Sequence, residues 1–304
     1  MKKKDILLSV ILVTLWGVNF TVIKLGLDGV PSMMLVSLRY LLTSFPAIFF
    51  VKKPKTEVKY IVFYGLTVGV GQFACMFYAM ELGIPAGIAS VVLQIQAFIS
   101  PLMAMIFLKE KLNSRQITGF IISAAGLIMI AMASTGDSIN RVPVSAFMFI
   151  LAAPVFWASS NIIAKIASDK AALKGERLNM ISMVVWSGLV PPVPMMVLAL
   201  IMDKPETILD ALFNINAVSI FAILYLAYAA TLIGYGIWSI LLASYPMSKI
   251  SPIPLLIPIV ALLSARIVLS EQLSPLQWAG FIVILTGLII ANTKVLNIFA
   301  KNNN

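Results

Sequence analysis

The sequence predicts an all-α membrane protein, and three observations lead to that prediction. First, 61% of its 304 residues are hydrophobic and only 11% are charged, whereas a soluble domain carries about 25% charged residues. Second, ten apolar runs approach the roughly 20 residues that a helix needs to cross a bilayer. Third, these runs are continuous and do not alternate as the strands of a membrane barrel would. We therefore expect ten transmembrane helices.

The predicted spans follow one another with short connections, none of which could fold alone as a soluble domain. The first span begins after three lysines and resembles a secretion signal. Because no small-residue cleavage site precedes a soluble region, we predict that it is retained. In chain order the ten spans cover residues 6–26, 32–51, 60–80, 86–108, 115–134, 144–164, 179–202, 216–242, 249–269 and 275–293.

The distribution of basic residues predicts the orientation, because cytoplasmic loops of membrane proteins are enriched in Lys and Arg. With the amino terminus in the cytoplasm, 17 of the 22 basic residues fall on the cytoplasmic side, and only Arg141 and Lys204 fall on the other. Ten spans then return the carboxyl terminus to the cytoplasm. The net charge of +10 is explained by loops beside anionic membrane lipid. No basic domain that could bind nucleic acid is evident.

Two pairs of matching segments predict an internal repeat. WGVNFTVIK at 16–24 resembles WASSNIIAK at 157–165, and EKLNSRQITGFIISAAG at 110–126 resembles EQLSPLQWAGFIVILTG at 271–287. We therefore divide the chain into five-span halves, residues 1–138 and 139–304. Because five is odd, the second half must run through the membrane in the opposite direction. Inverted repeats of this kind are typical of secondary transporters, whose site lies near the bilayer midplane between the repeats.

The second matching pair also predicts local features. Ser274 and Gln277 have the spacing of a capping box at a helix start, as do Asn113 and Gln116. Glu110 and Glu271, just before, are expected to assist entry into their own helices, with a proton-carrying role as the alternative. Glycines spaced for close helix packing occur at Gly119, Gly126, Gly280 and Gly287.

Polar residues inside apolar spans are costly and mark candidate functional positions. Trp16 and Asn19 share a helix face in the first span, as do Trp157 and Asn161 in the sixth. Either pair could line a cavity or tie helices together. Arg39, about eight residues into the second span, could bind a substrate carboxylate or serve as a structural tie, and both interpretations stay open.

Further amides and aromatic residues extend this candidate cavity. Gln72 lies in the third span, and Gln94 and Gln96 lie in the fourth. Since residues two apart point about 200° from each other on a helix, only one of the last two can face a given cavity. In the eighth span a helix face is predicted to carry Tyr228, Thr231, Tyr235 and Trp238.

The ninth span begins SKISPIPLLIPIV, and its prolines predict an interrupted helix whose freed carbonyls line a cavity. Carboxylates are scarce in the spans, and Glu81, near the outer end of the third, is the candidate for proton coupling. One cysteine, Cys75, and no histidine occur in the chain. The residue types that most often build metal sites and enzyme active sites are thus nearly absent, and we expect neither cofactor, metal nor enzymatic activity.

With these motifs in place, the chain resembles the EamA-type members of the drug/metabolite transporter superfamily, and in particular the cysteine and O-acetylserine exporters of bacterial inner membranes. The resemblance implies two inverted five-helix repeats, and export of small metabolites. It also implies a central cavity near Trp16, Asn19, Gln94, Trp157, Asn161 and Tyr235. Where that family usually has Gly, this chain has Lys109 and Ser270. The motifs are WGVNFTVIKLGL at 16–27, LRYLLTSFPAIFFV at 38–51, PAGIASVVLQIQAF at 85–98, WSGLVPPVP at 186–194, ATLIGYGIWSILL at 230–242 and PLLIPIVALLSA at 254–265.

The leading hypothesis is export of a small neutral or zwitterionic metabolite, such as an amino acid or derivative, by alternating access in the bacterial inner membrane. A multidrug or nucleobase efflux carrier of the same fold is the alternative, and a membrane-embedded enzyme or a channel is disfavoured. The expected partners are a small-molecule substrate and membrane lipid. Proton coupling, and a monomeric or homodimeric state, stay open. The candidate substrate-binding residues are Trp16, Asn19, Arg39, Gln72, Gln94, Trp157, Asn161, Tyr228, Tyr235 and Trp238.

Overall fold

The structure is a computed structural model that describes residues 1–109, 114–136, 143–245 and 253–291. Within these ranges the regular elements are helices and include no strand, which confirms the predicted all-α class. We number the helices α1 (Lys3–Leu27), α2 (Ser32–Ser44), α3 (Val58–Glu81), α4 (Ala86–Phe107), α5 (Ser114–Gly136), α6 (Val144–Leu173), α7 (Met180–Ser187), α8 (Pro192–Met202), α9 (Pro205–Phe213), α10 (Ala217–Leu241), α11 (Ile257–Val268) and α12 (Pro275–Ala291).

Six of the described helices are long and apolar enough to cross a bilayer: α1, α3, α4, α6, α10, and α2 with the turn that extends it to Phe49. The pair α7 and α8 is bent by 41° and counts as a seventh if it forms one span. Three shorter apolar stretches lie in α5, α11 and α12. The chain is therefore a multi-pass membrane protein. The remaining short helix, α9, lies in the connection between the predicted seventh and eighth spans.

Contacts between helix ends show the relative direction of α1 and α10. At the start of α1, the Lys2 backbone N–H donates to the Tyr245 hydroxyl beyond α10 at 3.0 Å. At the far end of α1, the residues after it lie beside the start of α10, where a side chain at Gly29 would meet Ser219. These two helices are therefore antiparallel neighbours.

Helices α5 and α12 cross at their glycines, which confirms the close helix packing that the glycine spacing predicts and shows that the two helices are partners. A Cβ added at Gly126 would lie 2.6 Å from the Gly280 carbonyl oxygen, and one added at Gly119 would lie 2.5 Å from that of Gly287. Between these points the Ser123 hydroxyl donates to the Ile284 carbonyl at 3.1 Å. Because any larger residue would push the backbones apart, glycine permits this close antiparallel crossing.

The helix entry at Ser274 forms the predicted capping box. Its backbone N–H donates to Gln277 Oε1 at 2.8 Å, and its hydroxyl accepts from the Gln277 N–H at 3.2 Å.

The predicted role of Glu271 at its own helix is wrong. Its carboxylate instead accepts from the N–H groups of Ala86 and Gly87 at 2.8 and 3.1 Å. The loop after α11 lies over the start of α4, whose free N–H groups and positive dipole end attract the carboxylate. Glu110 and Asn113 lie outside the described residues.

Two helices contain π-helical turns, Gly65–Gln72 within α3 and Tyr225–Ile233 within α10. Such turns are rare and occur frequently at functional sites. Each adds a residue to the helical repeat, so the side chains before and after it no longer share one α-helical face.

Lys109 and Ser270, each at the position before an acidic residue in the matching segments, adopt the left-handed conformation with φ of 57° and 55°. Only glycine takes this conformation without steric cost. Glycine, which the resemblance leads us to expect at these two positions, would remove that cost.

Candidate functional site

A cavity of about 60 Å³ lies where α1, α2, α3, α4, α6, α10 and the start of α11 meet. Its volume suits a few water molecules. Seven of the predicted site residues line it: Trp16, Asn19, Arg39, Gln72, Gln94, Trp157 and Tyr235. The structure thus brings together residues that are up to 219 positions apart in the sequence, since Trp16 and Tyr235 form one wall.

Arg39 is buried, with 3% of its surface exposed. Its Nε and Nη2 donate to Thr231 Oγ1 at 3.3 and 3.0 Å, and its guanidinium lies 4.1 Å from the centre of the Phe73 ring. The Thr231 hydroxyl in turn donates to the Leu226 carbonyl at 2.7 Å. The partners of the guanidinium are thus a neutral hydroxyl and aromatic rings. No ion pair within 4 Å joins Arg39 to a carboxylate of the described residues.

Three cavity-lining residues each carry a buried polar atom without a hydrogen-bond partner in the described structure: Arg39 Nη1, Asn19 Oδ1 and Gln72 Oε1. Asn19 is 8% exposed and Gln72 is 2% exposed. A buried polar atom left without a partner costs about 1–3 kcal/mol. All three atoms belong to residues that line one cavity, which makes this cavity the candidate binding site.

Aromatic residues form the wall of the cavity between α1 and α10. The Trp16 Nε1 donates to the Ala230 carbonyl at 2.9 Å, inside the π-helical turn of α10. The Trp16 ring packs edge-on against Tyr235 at 5.5 Å between centroids, and against Trp238 at 6.0 Å. This arrangement fixes Trp16, because its N–H is bonded and its ring is held on two sides.

Gln94 lines the cavity, but its amide is already engaged: Nε2 donates to the Pro254 carbonyl at 2.6 Å. Pro254 lies in a 3-10 turn, Ile253–Leu256, just before α11. The donor that an α-helix would supply four residues on is absent, because Pro258 has no N–H. The carbonyl predicted to be freed by proline is therefore bonded by another helix. Pro252 lies outside the described residues.

Of the two α4 amides, Gln94 faces the cavity and Gln96 faces α6. Gln96 Oε1 lies 3.5 Å from Asn161 Nδ2, which also donates to Ser100 Oγ at 3.3 Å. Asn161 is exposed and does not line the described cavity, whereas Trp157, one turn earlier on α6, does.

Tyr228, Trp238 and Glu81 also lie away from the cavity lining. Tyr228 precedes Tyr235 across the π-helical turn, and the added residue rotates it off the shared face. Trp238 packs one turn beyond Tyr235, in a cluster with Leu12 and Leu241. Glu81 is exposed, and its carboxylate accepts from the Ser32 N–H and hydroxyl at 3.1 and 2.6 Å, which caps the start of α2.

The cavity also contains residues that the sequence pattern did not single out. They include Ser90, one turn before Gln94, and Met76, one turn after Gln72, so helical spacing from the amides could have located both. Phe73 was missed because an aromatic residue in an apolar span looks like ordinary packing. The full set is Phe20, Phe73, Met76, Ser90, Leu93, Ala230 and Ile257. Among the described residues, no three His, Cys, Asp or Glu side chains are grouped to hold a metal ion.

Comparison with known proteins now adds to this geometry. The profile of the EamA-like transporter family matches residues 3–132 and again residues 144–293. The chain belongs to the EamA-like transporter family. It is therefore a membrane transporter and not an enzyme, and the cavity draws on both matched stretches.

Individual relatives agree with this assignment. The chain is 40% identical over 95% of both sequences to a "Probable amino-acid metabolite efflux pump" of Escherichia coli, and equally to one of Salmonella typhimurium. It is 24% identical to a "Probable terminal-alkyne amino-acid exporter" of Streptantibioticus cattleyicolor, over 94% of this chain and 93% of that one. A crystal structure with 14% identity shares the fold, with a TM-score of 0.62 over 98% of this chain and 99% of that one.

Proposed function

We propose that this chain exports small amino-acid metabolites across the bacterial inner membrane by alternating access. The observation that carries the proposal is a cavity between the two family-matched stretches, with orphaned polar atoms on residues of its lining. Secondary transporters built from repeats bind their substrates at such an interface. The names of the 40% identical relatives support amino-acid metabolites as the substrate class.

The proposal includes ten spans arranged as two inverted halves, residues 1–138 and 139–304. The bent pair and the three shorter apolar helices, added to the six long ones, give ten segments. The packing supports two equivalent halves. Helix α1 packs against α11 and α10. Its proposed counterpart α6 packs against α4 and α3, which are the proposed counterparts of α11 and α10. Two further contacts each join a helix to its own proposed counterpart: α5 packs against α12, and α2 packs against α8.

Local geometry supports the duplication on which this arrangement depends. The π-helical turns lie in the third helix and in α10, its proposed counterpart. The two left-handed residues, Lys109 and Ser270, are separated by 161 positions, and the same offset relates Gly119 to Gly280 and Gly126 to Gly287. Equivalent irregularities at one offset are expected when a duplicated unit keeps its backbone.

For the orientation, we place the face that carries Lys2 and Tyr245 in the cytoplasm. That face also carries the ion pairs Lys55–Glu176 and Lys170–Glu57 at 3.1 and 3.5 Å. Its richness in lysine supports a cytoplasmic location. The carboxyl-terminal tail lies outside the described residues; ten spans, as proposed, would return it to the cytoplasm.

Counterflow in proteoliposomes tests the proposed function. Vesicles preloaded with unlabelled O-acetyl-L-serine, L-cysteine or L-serine should accelerate uptake of the labelled compound, since a carrier exchanges its substrates. A matched series loaded with a nucleobase or a cationic dye tests the alternative of nucleobase or drug efflux. Repeating the assay with a pH gradient reports proton coupling. Uptake that no amino-acid metabolite accelerates would refute the proposal.

A further inference from the structure

The charge on Arg39 lacks a compensating anion among the described residues. A guanidinium has five N–H groups, and Thr231 accepts from only two nitrogens, Nε and Nη2. Nη1 has no partner. Removing an unpaired charge from water is expensive, and proteins normally pair or bond such groups. The arginine is also held in place by Thr231 and the Phe73 ring, so it is positioned before any anion arrives.

The edge of the guanidinium that Thr231 leaves free has the shape that a carboxylate fits. Nη1 and the second hydrogen of Nη2 form a fork that can donate two parallel bonds to one carboxylate, the strong bidentate geometry of arginine. Both buried amides of the cavity leave an oxygen unpaired, Asn19 Oδ1 and Gln72 Oε1. Amide oxygens accept hydrogen bonds from an ammonium group, and the Trp16 and Tyr235 rings add cation-attracting faces.

We propose that the cavity binds a zwitterionic α-amino acid with a small uncharged side chain, its carboxylate on Arg39 and its ammonium on Asn19 and Gln72. This assignment rests on the proposed function, because it concerns the substrate of the same cavity. Phe20, Met76, Leu93 and Ile257 complete the lining and favour an apolar or weakly polar side chain. The orphaned atoms are sealed from solvent in this conformation, so the proposal requires them to be exposed when substrate enters. The two amides would be exposed by rotation of their side chains, and Arg39 Nη1 by opening of the cavity beside it, since Thr231 and Phe73 hold the arginine.

An alternative is a purely structural arginine. Beside Arg39 lies a second space of about 10 Å³, bounded by Tyr40, Tyr64 and Thr231, which is at the lower limit for one water molecule. If such a water satisfied Nη1, the arginine would stabilise the fold without recognising substrate. The two roles differ in what happens when the carboxylate of the ligand is removed.

The test compares ligands that differ only in their charged groups. Purified protein in detergent is heated with L-alanine, L-alanine methyl ester or N-acetyl-L-alanine, and the same compounds compete for uptake in proteoliposomes. The free amino acid should raise the melting temperature and compete at least about tenfold better than the ester, the scale of a charge-assisted hydrogen bond. The N-acetyl compound should also lose affinity.

Variants assign the discrimination to the proposed groups. Arg39→Gln should abolish the preference for the free acid over the ester, and Arg39→Lys should keep part of it. Should Arg39→Gln fail to fold, Thr231→Val leaves the arginine in place without its anchor and should shrink the same preference. Asn19→Leu should remove only the discrimination against the N-acetyl compound. Gln96→Leu, whose amide lies outside the cavity, should leave both preferences unchanged.

The outcomes separate this assignment from the proposed function. If the protein transports acid and ester alike, or if Arg39→Gln keeps the preference, the assignment is overturned while export stands. If no amino-acid metabolite is transported but the free acid alone raises the melting temperature, the assignment stands and the proposed function fails.

Discussion

The bond between Gln94 and the Pro254 carbonyl allows a quantitative test of how the cavity wall is held together. Replacing Gln94 with Leu removes the donor 2.6 Å from that carbonyl. Because Pro258 has no N–H, the donor that an α-helix would supply to this carbonyl is absent as well. Pro254 is half-buried, so leaving its carbonyl unsatisfied should lower the free energy of unfolding by about 1–2 kcal/mol, toward the lower end of the cost of a buried acceptor.

A double-mutant cycle isolates this effect. Pro258→Ala restores an N–H one helical turn beyond Pro254, which can then bond the carbonyl when the amide is absent. Gln94→Leu should therefore cost about 1–2 kcal/mol less in the Pro258→Ala background than alone. Gln96→Leu is the matched control and should show no coupling to Pro258. Reversible unfolding in mixed detergent micelles, followed by circular dichroism, measures all four variants.

Additivity of Gln94→Leu and Pro258→Ala within about 0.5 kcal/mol would refute the reasoning. Transport gives a second reading of the same cycle. If Gln94 acts mainly by holding the Pro254 carbonyl, the double variant should recover export that Gln94→Leu loses. If export stays low while stability recovers, the amide contacts the substrate directly.

The remaining predictions concern stability of the fold. Ser270→Gly should raise the free energy of unfolding by about 0.5–1 kcal/mol. The residue has a φ of 55°, and the steric cost that glycine removes exceeds the entropy that glycine adds to the unfolded chain. A lower melting temperature would contradict this. Gly280→Ala should destabilise the crossing of α5 with α12, because the added Cβ would lie 2.7 Å from the Gly126 carbonyl oxygen. Gly236→Ala is its matched control: no atom lies within 4 Å of its added Cβ, so the change should be neutral or stabilising by up to about 1 kcal/mol. Thermal unfolding in detergent measures these variants, and equal losses for both glycines would contradict the packing explanation.

The predictions from sequence held where the cause was local. The capping box at Ser274 depends on residues three apart, and the glycine contacts depend on small residues at fixed spacing along two helices. Polar residues in apolar spans were sound markers for a cavity, because seven of the ten candidates line it. The other three candidates are Asn161, Tyr228 and Trp238. Where their side chains point depends on the rotation of α6 and on the π-helical turn of α10, and no sequence pattern predicted either.

Glu271 shows why long-range partners could not be predicted. Its position just before a helix suggested a role there, yet its carboxylate lies on the N–H groups of Ala86 and Gly87, about 185 positions away in the chain. Several helix starts could attract such a carboxylate equally well by electrostatics alone. The choice among them was made by which helices pack together.

Composition and periodicity by themselves determined that this chain is a helical membrane protein with a duplicated pattern, because the bilayer requires long apolar helices whatever their arrangement. Only the tertiary structure decided which polar groups meet and which stay without partners. Arg39 is the clearest case: its sequence position shows that a charge is buried, but only packing shows that Thr231 and Phe73 hold it and that no carboxylate among the described residues pairs with it. Burial depends on the local sequence, whereas pairing depends on distances between helices that the local sequence does not encode.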